Sequence, residues 1–136
     1  MTSSMTVRHL GDDRFAVDVR GHTLLVDQPV SHGGQDTAPT PTELFVAGLA
    51  SCVAFYARRY LARHDIPGDG FAVTAEFVLA DKPARVSDIV VVITPPAALP
   101  ADRLQAFLAV ASHCTVHNSL AQPPNVNISL ALAAAA

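Results

Sequence analysis

The chain contains two cysteines, Cys52 and Cys114, which stand 62 positions apart. A thiol pair can reduce peroxides when one thiolate attacks the O–O bond and the second thiol converts the resulting sulfenic acid into a disulfide. A buried cysteine can equally be a small, inert apolar side chain. The pair is therefore the main candidate for chemistry, and core packing is the alternative.

A reactive thiolate in this chain needs a positive partner, because burial within an apolar helix disfavours the charged form of a thiol. The candidates are Arg14 and Arg20, on the polar face of a predicted strand. Glu43 precedes Cys52 by nine residues, so the two lie about 13 Å apart along one helix axis and cannot touch. We expect Glu43 to act through a bridging arginine or on a second subunit, or simply to close a helix-capping box.

His113 and His117 lie on either side of Cys114, and the Cys-x-x-His spacing invites comparison with zinc sites. A structural zinc site needs four ligands, and the rest of the chain offers only Cys52 and scattered histidines. We predict neither a metal nor an organic cofactor. A Cys–His pair for acyl transfer is a further alternative, whereas phosphate-loop, serine-elbow and dinucleotide motifs do not occur.

The segment that carries Cys52 predicts a long helix from Thr40 to His64. Thr40 is a capping residue, Pro41 suits the first helical position, and Glu43 completes the capping box. No charged residue occurs from Leu44 to Ala57, and a helix that is apolar all round must be surrounded by protein or lipid. Fourteen residues are fewer than the 20 or so that cross a bilayer. We therefore predict a central helix enclosed by the rest of the fold.

Alternating apolar residues predict strands before and after this helix. Arg14 to Arg20 alternates and is followed by a tight turn at Gly21, so the chain should begin with a hairpin or three-stranded meander. The loop Pro29–Pro41 then leads into the helix. Phe71–Leu79 and Val86–Thr94 predict a second hairpin.

A second helix is predicted from about Ala101, with Cys114 on its buried face, up to a stop at Pro123-Pro124. The chain then predicts a final strand with Val126, Ile128, Leu130 and Leu132 facing inward. The resulting order, β-β-β-α-β-β-α-β, indicates an α+β fold in a single domain of residues 1–136.

The composition limits the class of protein. Half of the residues are hydrophobic and only 15% are charged, which suggests that an oligomer covers part of the surface. The net charge is −3 and no large basic cluster occurs, so nucleic-acid binding is not expected. We predict a cytoplasmic protein without a membrane segment, because no signal peptide is recognisable and cysteines are few.

Two motifs, PTPTELFVAGLASC and ASHCTVHNSL, resemble those of the OsmC/Ohr family of thiol-dependent peroxidases. The order of strands and helices also matches along essentially the whole chain. The resemblance implies an intertwined homodimer with active sites at the subunit interface. It also implies reduction of organic hydroperoxides in stress defence, with electrons from a thiol reductant such as a lipoylated protein.

By this resemblance Cys52 is the peroxidatic cysteine and Cys114 the resolving one. Cys114 lies near the end of its predicted helix, before the Pro123-Pro124 stop, so we expect it to be the more mobile of the two. Thr42 stands where better-known branches have the acidic residue that holds the catalytic arginine, and Glu43 follows it. Thr115 replaces the proline usual after the second cysteine. These features are similar to the YhfA-like branch. A non-catalytic relative that binds a small hydrophobic ligand at the dimer interface is the alternative.

Overall fold

The computed structural model describes residues 2–133 and begins with an antiparallel three-stranded meander. Its strands are β1 (Thr6–Gly11), β2 (Arg14–Val19) and β3 (His22–Val26). At the turn between β2 and β3, Arg20 and Gly21 have φ values of 49° and 79°. Positive φ at both central residues matches the twist of a two-residue hairpin. The predicted meander is confirmed.

The meander has an apolar face and a polar face. Val17 pairs with Val7 on one side and Leu24 on the other, so these three side chains share the apolar face. On the opposite face, the Arg8 guanidinium donates to the Asp18 carboxylate at 2.6 Å. Val7 and Leu24 are exposed. One chain therefore leaves the apolar face largely uncovered.

The loop between β3 and the central helix is organised around one buried carboxylate, Asp27. Asp27 accepts hydrogen bonds from the backbone N–H of Gln28 at 2.7 Å and from both the backbone and the hydroxyl of Thr37, at 2.9 and 2.6 Å. A short 3-10 turn at Val30–His32 lies within the loop. A Cβ at Gly34 would collide with the Gln28 carbonyl. The loop is therefore folded back on itself.

The central helix, α1, runs from Pro41 to Arg63. The Thr40 hydroxyl accepts from the Glu43 N–H at 3.0 Å, and the Glu43 carboxylate accepts from the Thr40 N–H at 2.9 Å. The predicted capping box and the helix end near His64 are both confirmed.

The helix is not enclosed all round within one chain. Val53, Ala57 and Leu61 are buried, whereas Phe45 and Phe55 are 46% and 55% exposed. Its 23 residues are also long and apolar enough to cross a membrane, a test that the core helices of soluble proteins pass as well. The predicted enclosure is therefore wrong for the single chain, because the fold supplies partners for only one face.

The second hairpin consists of β4 (Ala72–Ala80) and β5 (Arg85–Thr94), in antiparallel register. Their shared inner face packs on α1 through β-branched side chains, among them Ile89, Val91 and Ile93. This hairpin is as the alternating pattern predicts.

The predicted second helix is two helices. A 3-10 turn at Ala101–Arg103 leads into α2 (Leu104–Ala111), and α3 follows at Thr115–Ala121. Cys114 lies between them as the N-cap of α3 and not on a helix face. Phe107 and Ala111 of α2 join Leu49, Val53 and Ala57 of α1 in the core. The α+β class is thus as predicted, with an additional break at Cys114.

The predicted final strand is absent from the part of the chain that the structure describes. No residue from 123 to 133 is in a strand, and Ile128, predicted to face inward, is 94% exposed. Val126, Leu130 and Leu132 are exposed as well. A strand needs a neighbouring backbone to complete its hydrogen bonds, and none of residues 2–133 pairs with this segment.

Candidate active site

Cys52 lies in the middle of α1 at the border of the core. It is half-buried and packs against the core cluster together with Tyr56, one helical turn further on. Residues four apart share a helix face, so the Cys52 thiol and the Tyr56 ring point to the same side. The Cys52 thiol is therefore only partly shielded from solvent.

Cys114 is fully buried between α2 and α3. Its Sγ accepts a hydrogen bond from the backbone N–H of His117 at 3.3 Å. Burial raises the pKa of the Cys114 thiol, and the His117 N–H opposes that rise. The neighbouring Cys52 side chain raises the pKa of Cys114 further. Cys114 is thus a neutral, protected thiol beside Cys52.

The two thiols are both free. A hydrogen bond joins the helix that carries Cys52 to the segment that carries Cys114. The Tyr56 hydroxyl lies 2.8 Å from the Thr115 hydroxyl. Tyr56 is one turn from Cys52, and Thr115 directly follows Cys114, so this contact joins the two cysteine-bearing segments. Thr115 stands where relatives usually have proline, and in this chain its hydroxyl has a hydrogen-bond partner in Tyr56.

The two histidines near Cys114 bind backbone carbonyls. Nδ1 of His117 lies 2.6 Å from the carbonyl oxygen of Ser112, and Nδ1 of His113 lies 2.7 Å from that of Ala109. Since carbonyls only accept, Nδ1 carries the proton in both rings. Among residues 2–133, no three His, Cys, Asp or Glu side chains are grouped to hold a metal ion.

Neither predicted arginine is joined to Cys52 within one chain. Arg20 is exposed in the turn after β2. Arg14 is half-buried at the start of β2, and its Nε is enclosed without a hydrogen-bond partner among the described residues. Glu43 is engaged in the capping box in the first turn of α1, nine residues before Cys52. The roles of these three residues at the thiol stay predictions.

One arginine was overlooked in the sequence. The Arg59 guanidinium lies over the rings of Phe55 and Tyr56, 5.5 and 5.9 Å from their centroids. Residues three, four and seven apart share a helix face. The spacing of Cys52, Phe55 and Arg59 therefore indicates that Arg59 lies on the same face of α1 as Cys52.

Two cavities lie between α1, β5 and the α2–α3 segment. Their volumes are about 210 and 400 Å³, and both are lined by Leu49, Ile89 and His117. The smaller cavity is mainly aliphatic, whereas Ser87 and Asp88 also line the larger one, so the smaller cavity suits an apolar group better. A separate groove of about 810 Å³ lies between the apolar face of the meander and the start of α1. It is lined by Met5, Val7, Phe15, Val17, Leu24, Val26, Pro41, Leu44 and Phe45.

Solved structures with this architecture include a proposed osmotic-stress-induced and detoxification response protein from Psychrobacter arcticus. It shares 28% identity with this chain over 88% of each, with a TM-score of 0.79. An OsmC-like protein from Mycoplasma pneumoniae has 15% identity over 90% of this chain and 89% of its own, with a TM-score of 0.74.

A third structure is an organic hydroperoxide resistance protein OsmC from Legionella pneumophila, described as a predicted redox protein. It has 23% identity over 88% of this chain and 89% of its own, with a TM-score of 0.64. No protein of curated function matched the sequence. The sequence profile described as OsmC-like protein matches residues 33–129, which include both cysteines. The chain belongs to the OsmC-like family.

Proposed function

We propose that the protein is a thiol-dependent peroxidase that reduces organic hydroperoxides by a two-cysteine cycle. The observation that carries the proposal is that two free thiols, the half-buried Cys52 and the fully buried Cys114, lie in segments joined by the Tyr56–Thr115 hydrogen bond. The Legionella relative, an organic hydroperoxide resistance protein, supports the same substrate class.

The first step takes place at Cys52. Its thiolate attacks the outer oxygen of ROOH, the O–O bond breaks, and the alkoxide leaves with a proton as ROH. Cys52 is oxidised to a sulfenic acid, and the peroxide is reduced.

The second step takes place between the cysteines. The Cys114 sulfur attacks the sulfenic sulfur, and the hydroxyl leaves with the Cys114 proton as water. The resulting Cys52–Cys114 disulfide is reopened by two electrons and two protons from a thiol reductant, for which a lipoylated protein is one candidate. None of these steps requires a metal or an organic cofactor.

A homodimer would supply what one chain lacks. Phe45, Phe55 and the apolar groove at the start of α1 are open, and the segment around Ile128 has no strand partner. In a second copy, the Arg14 or Arg20 guanidinium could approach Cys52, with Glu43 positioning it. We propose this intertwined, cytoplasmic dimer as the active form.

Reduction of cumene hydroperoxide by the purified protein and two variants tests the proposal. Cys52→Ser should abolish reduction, because the attacking sulfur is gone. Cys114→Ser should consume about one equivalent per chain and then stall, since no thiol traps the sulfenic acid. Turnover of Cys114→Ser at the wild-type rate with the same thiol reductant would contradict the two-cysteine cycle.

The second candidate function is binding of a small hydrophobic ligand without catalysis. The two cavities that share Leu49, Ile89 and His117, of which the smaller is mainly aliphatic, favour it. If neither wild type nor variants react with peroxide, binding of an apolar fluorescent probe, weakened by Leu49→Asn, would support this function instead.

A further inference from the structure

His117 makes two bonds that together enclose Cys114. Its backbone N–H donates to Cys114 Sγ at 3.3 Å, and its imidazole Nδ1–H donates to the Ser112 carbonyl at 2.6 Å. Ser112 precedes Cys114 by two residues and His117 follows it by three. The imidazole therefore closes a ring of backbone around the buried thiol.

Among residues 2–133, the His117 imidazole makes the only side-chain hydrogen bond that links α3 to the end of α2 across the break at Cys114. The Ser112 hydroxyl bonds back to Leu108 within α2, and the His113 ring bonds back to Ala109. Both contacts lie on the α2 side of Cys114. Only His117 joins the first turn of α3 to the end of α2.

We infer that the His117 imidazole is a positioning residue that holds Cys114 in place to close the disulfide with Cys52. This inference rests on the proposed two-cysteine cycle. Cys114 must trap the sulfenic acid before a second peroxide converts it, with release of ROH, to a sulfinic acid. A Cys114 held close to Cys52 favours the disulfide, because less conformational entropy is lost on closure. The inference thus relies on a held Cys114, in place of the mobile one expected from the sequence.

The position of the donor distinguishes this role from simple packing. Asn has an N–H group the same number of bonds from the backbone as Nδ1 of histidine, whereas the amide of Gln is one bond further away. His117→Asn can therefore keep the bond to Ser112, and His117→Ala and His117→Gln cannot. His113→Ala is the matched control, since it removes a similar bond beside Cys114 without crossing the break.

The first measurement does not require peroxidase activity. In the Cys52→Ser background, the rate at which iodoacetamide alkylates Cys114 reports how firmly the thiol is held. We expect His117→Ala and His117→Gln to raise this rate about five- to tenfold, the effect of losing one hydrogen bond. His117→Asn and His113→Ala should stay within about twofold of the parent. An unchanged rate in His117→Ala would overturn the inference.

The second measurement is the ratio of disulfide to Cys52 sulfinic acid after a fixed dose of cumene hydroperoxide in the Cys52-containing protein. His117→Ala and His117→Gln should lower this ratio about five- to tenfold, and His117→Asn should restore it. If His117→Ala alters alkylation but not this ratio, the positioning role is wrong. If wild type forms no Cys52–Cys114 disulfide, the peroxidase proposal fails and the role fails with it, although the alkylation result still reports the ring itself.

Discussion

Cys52 and Cys114 differ in burial, and this difference sets the order in which they react in the proposed cycle. Cys114 is fully buried, with a raised pKa caused mainly by that burial. It is therefore neutral until a reaction partner comes to it. Cys52 is half-buried on a helix whose outer face is partly open, so a peroxide meets it first. Under the proposed cycle, the thiol that resolves the sulfenic acid is thus the more enclosed of the two.

The hydrogen bond between Tyr56 and Thr115 should couple the two cysteine-bearing segments energetically. Tyr56→Phe removes one partner of a half-exposed bond, so we expect the free energy of unfolding to fall by about 1 kcal/mol. Thr115→Ala should cost a similar amount, and the double variant less than the sum of the two. Urea denaturation of the four proteins measures this coupling. Strictly additive losses would mean that the bond contributes nothing in solution.

The sequence predicts neither the Tyr56–Thr115 hydrogen bond nor the bond from His117 to Ser112. Tyr56 and Thr115 stand 59 positions apart, and only the packing of α3 on α1 brings them together. The bond from His117 to Ser112 is local, but it depends on the helix break at Cys114. The apolar spacing from Leu104 to Cys114 hides that break, because cysteine is not one of the preferred N-cap residues.

Among the structural elements, the loop before α1 depends most on a single group. Four hydrogen bonds to the Asp27 carboxylate come from Thr37, Gln28 and Gln35, and they lower its pKa to about 2. The hydrogen bonds from Thr37 are the largest cause. They outweigh the cost of burying the charge, which acts in the opposite direction.

The pH dependence of this element follows from the sign of the shift. The folded pKa lies below that of the unfolded chain, near 3.9, so the stabilisation by Asp27 is complete above about pH 5. It is lost as the pH falls through about 2. Asp27→Asn should lower the melting temperature at pH 7 and flatten its dependence on pH below 4.

Asp36→Asn is the matched control, because it removes one exposed charge from the same loop. It should melt close to wild type at pH 7. Differential scanning calorimetry between pH 2 and 7 compares the three proteins. Equal melting temperatures for wild type and Asp27→Asn throughout would show that the buried carboxylate does not hold the loop.

The elements themselves were predictable where their signals are local. Thr40, Pro41 and Glu43 define the start of α1, and alternation defines β4 and β5. Asp27 was not recognised, because its partners become visible only when the loop folds back. The alternation of the last segment predicts a strand, but no strand of the described part of the chain lies beside it.

At the scale of the whole molecule, the uncovered apolar surface requires a partner under our proposal. Phe55 is 55% exposed in one chain, and burying a phenylalanine completely is worth about 2–3 kcal/mol. Phe55→Glu should therefore weaken self-association strongly. Val92→Glu, at a similarly exposed valine on the outer face of the second hairpin, should leave it unchanged.

Light scattering at micromolar concentration measures the mass of each protein. We expect a dimer for wild type and Val92→Glu and a monomer for Phe55→Glu. A wild-type monomer of 14.3 kDa would remove the proposed dimer, together with any role for the arginines of a second copy.

The cycle between the two cysteines is tested most directly by peptide mapping of the wild-type protein. The reduced protein is treated with one equivalent of cumene hydroperoxide and digested without reductant. We predict one linked peptide pair that joins Cys52 to Cys114, two hydrogens lighter than the separate peptides. Unmodified thiols, or a Cys52 sulfinic acid beside a free Cys114, would contradict the account.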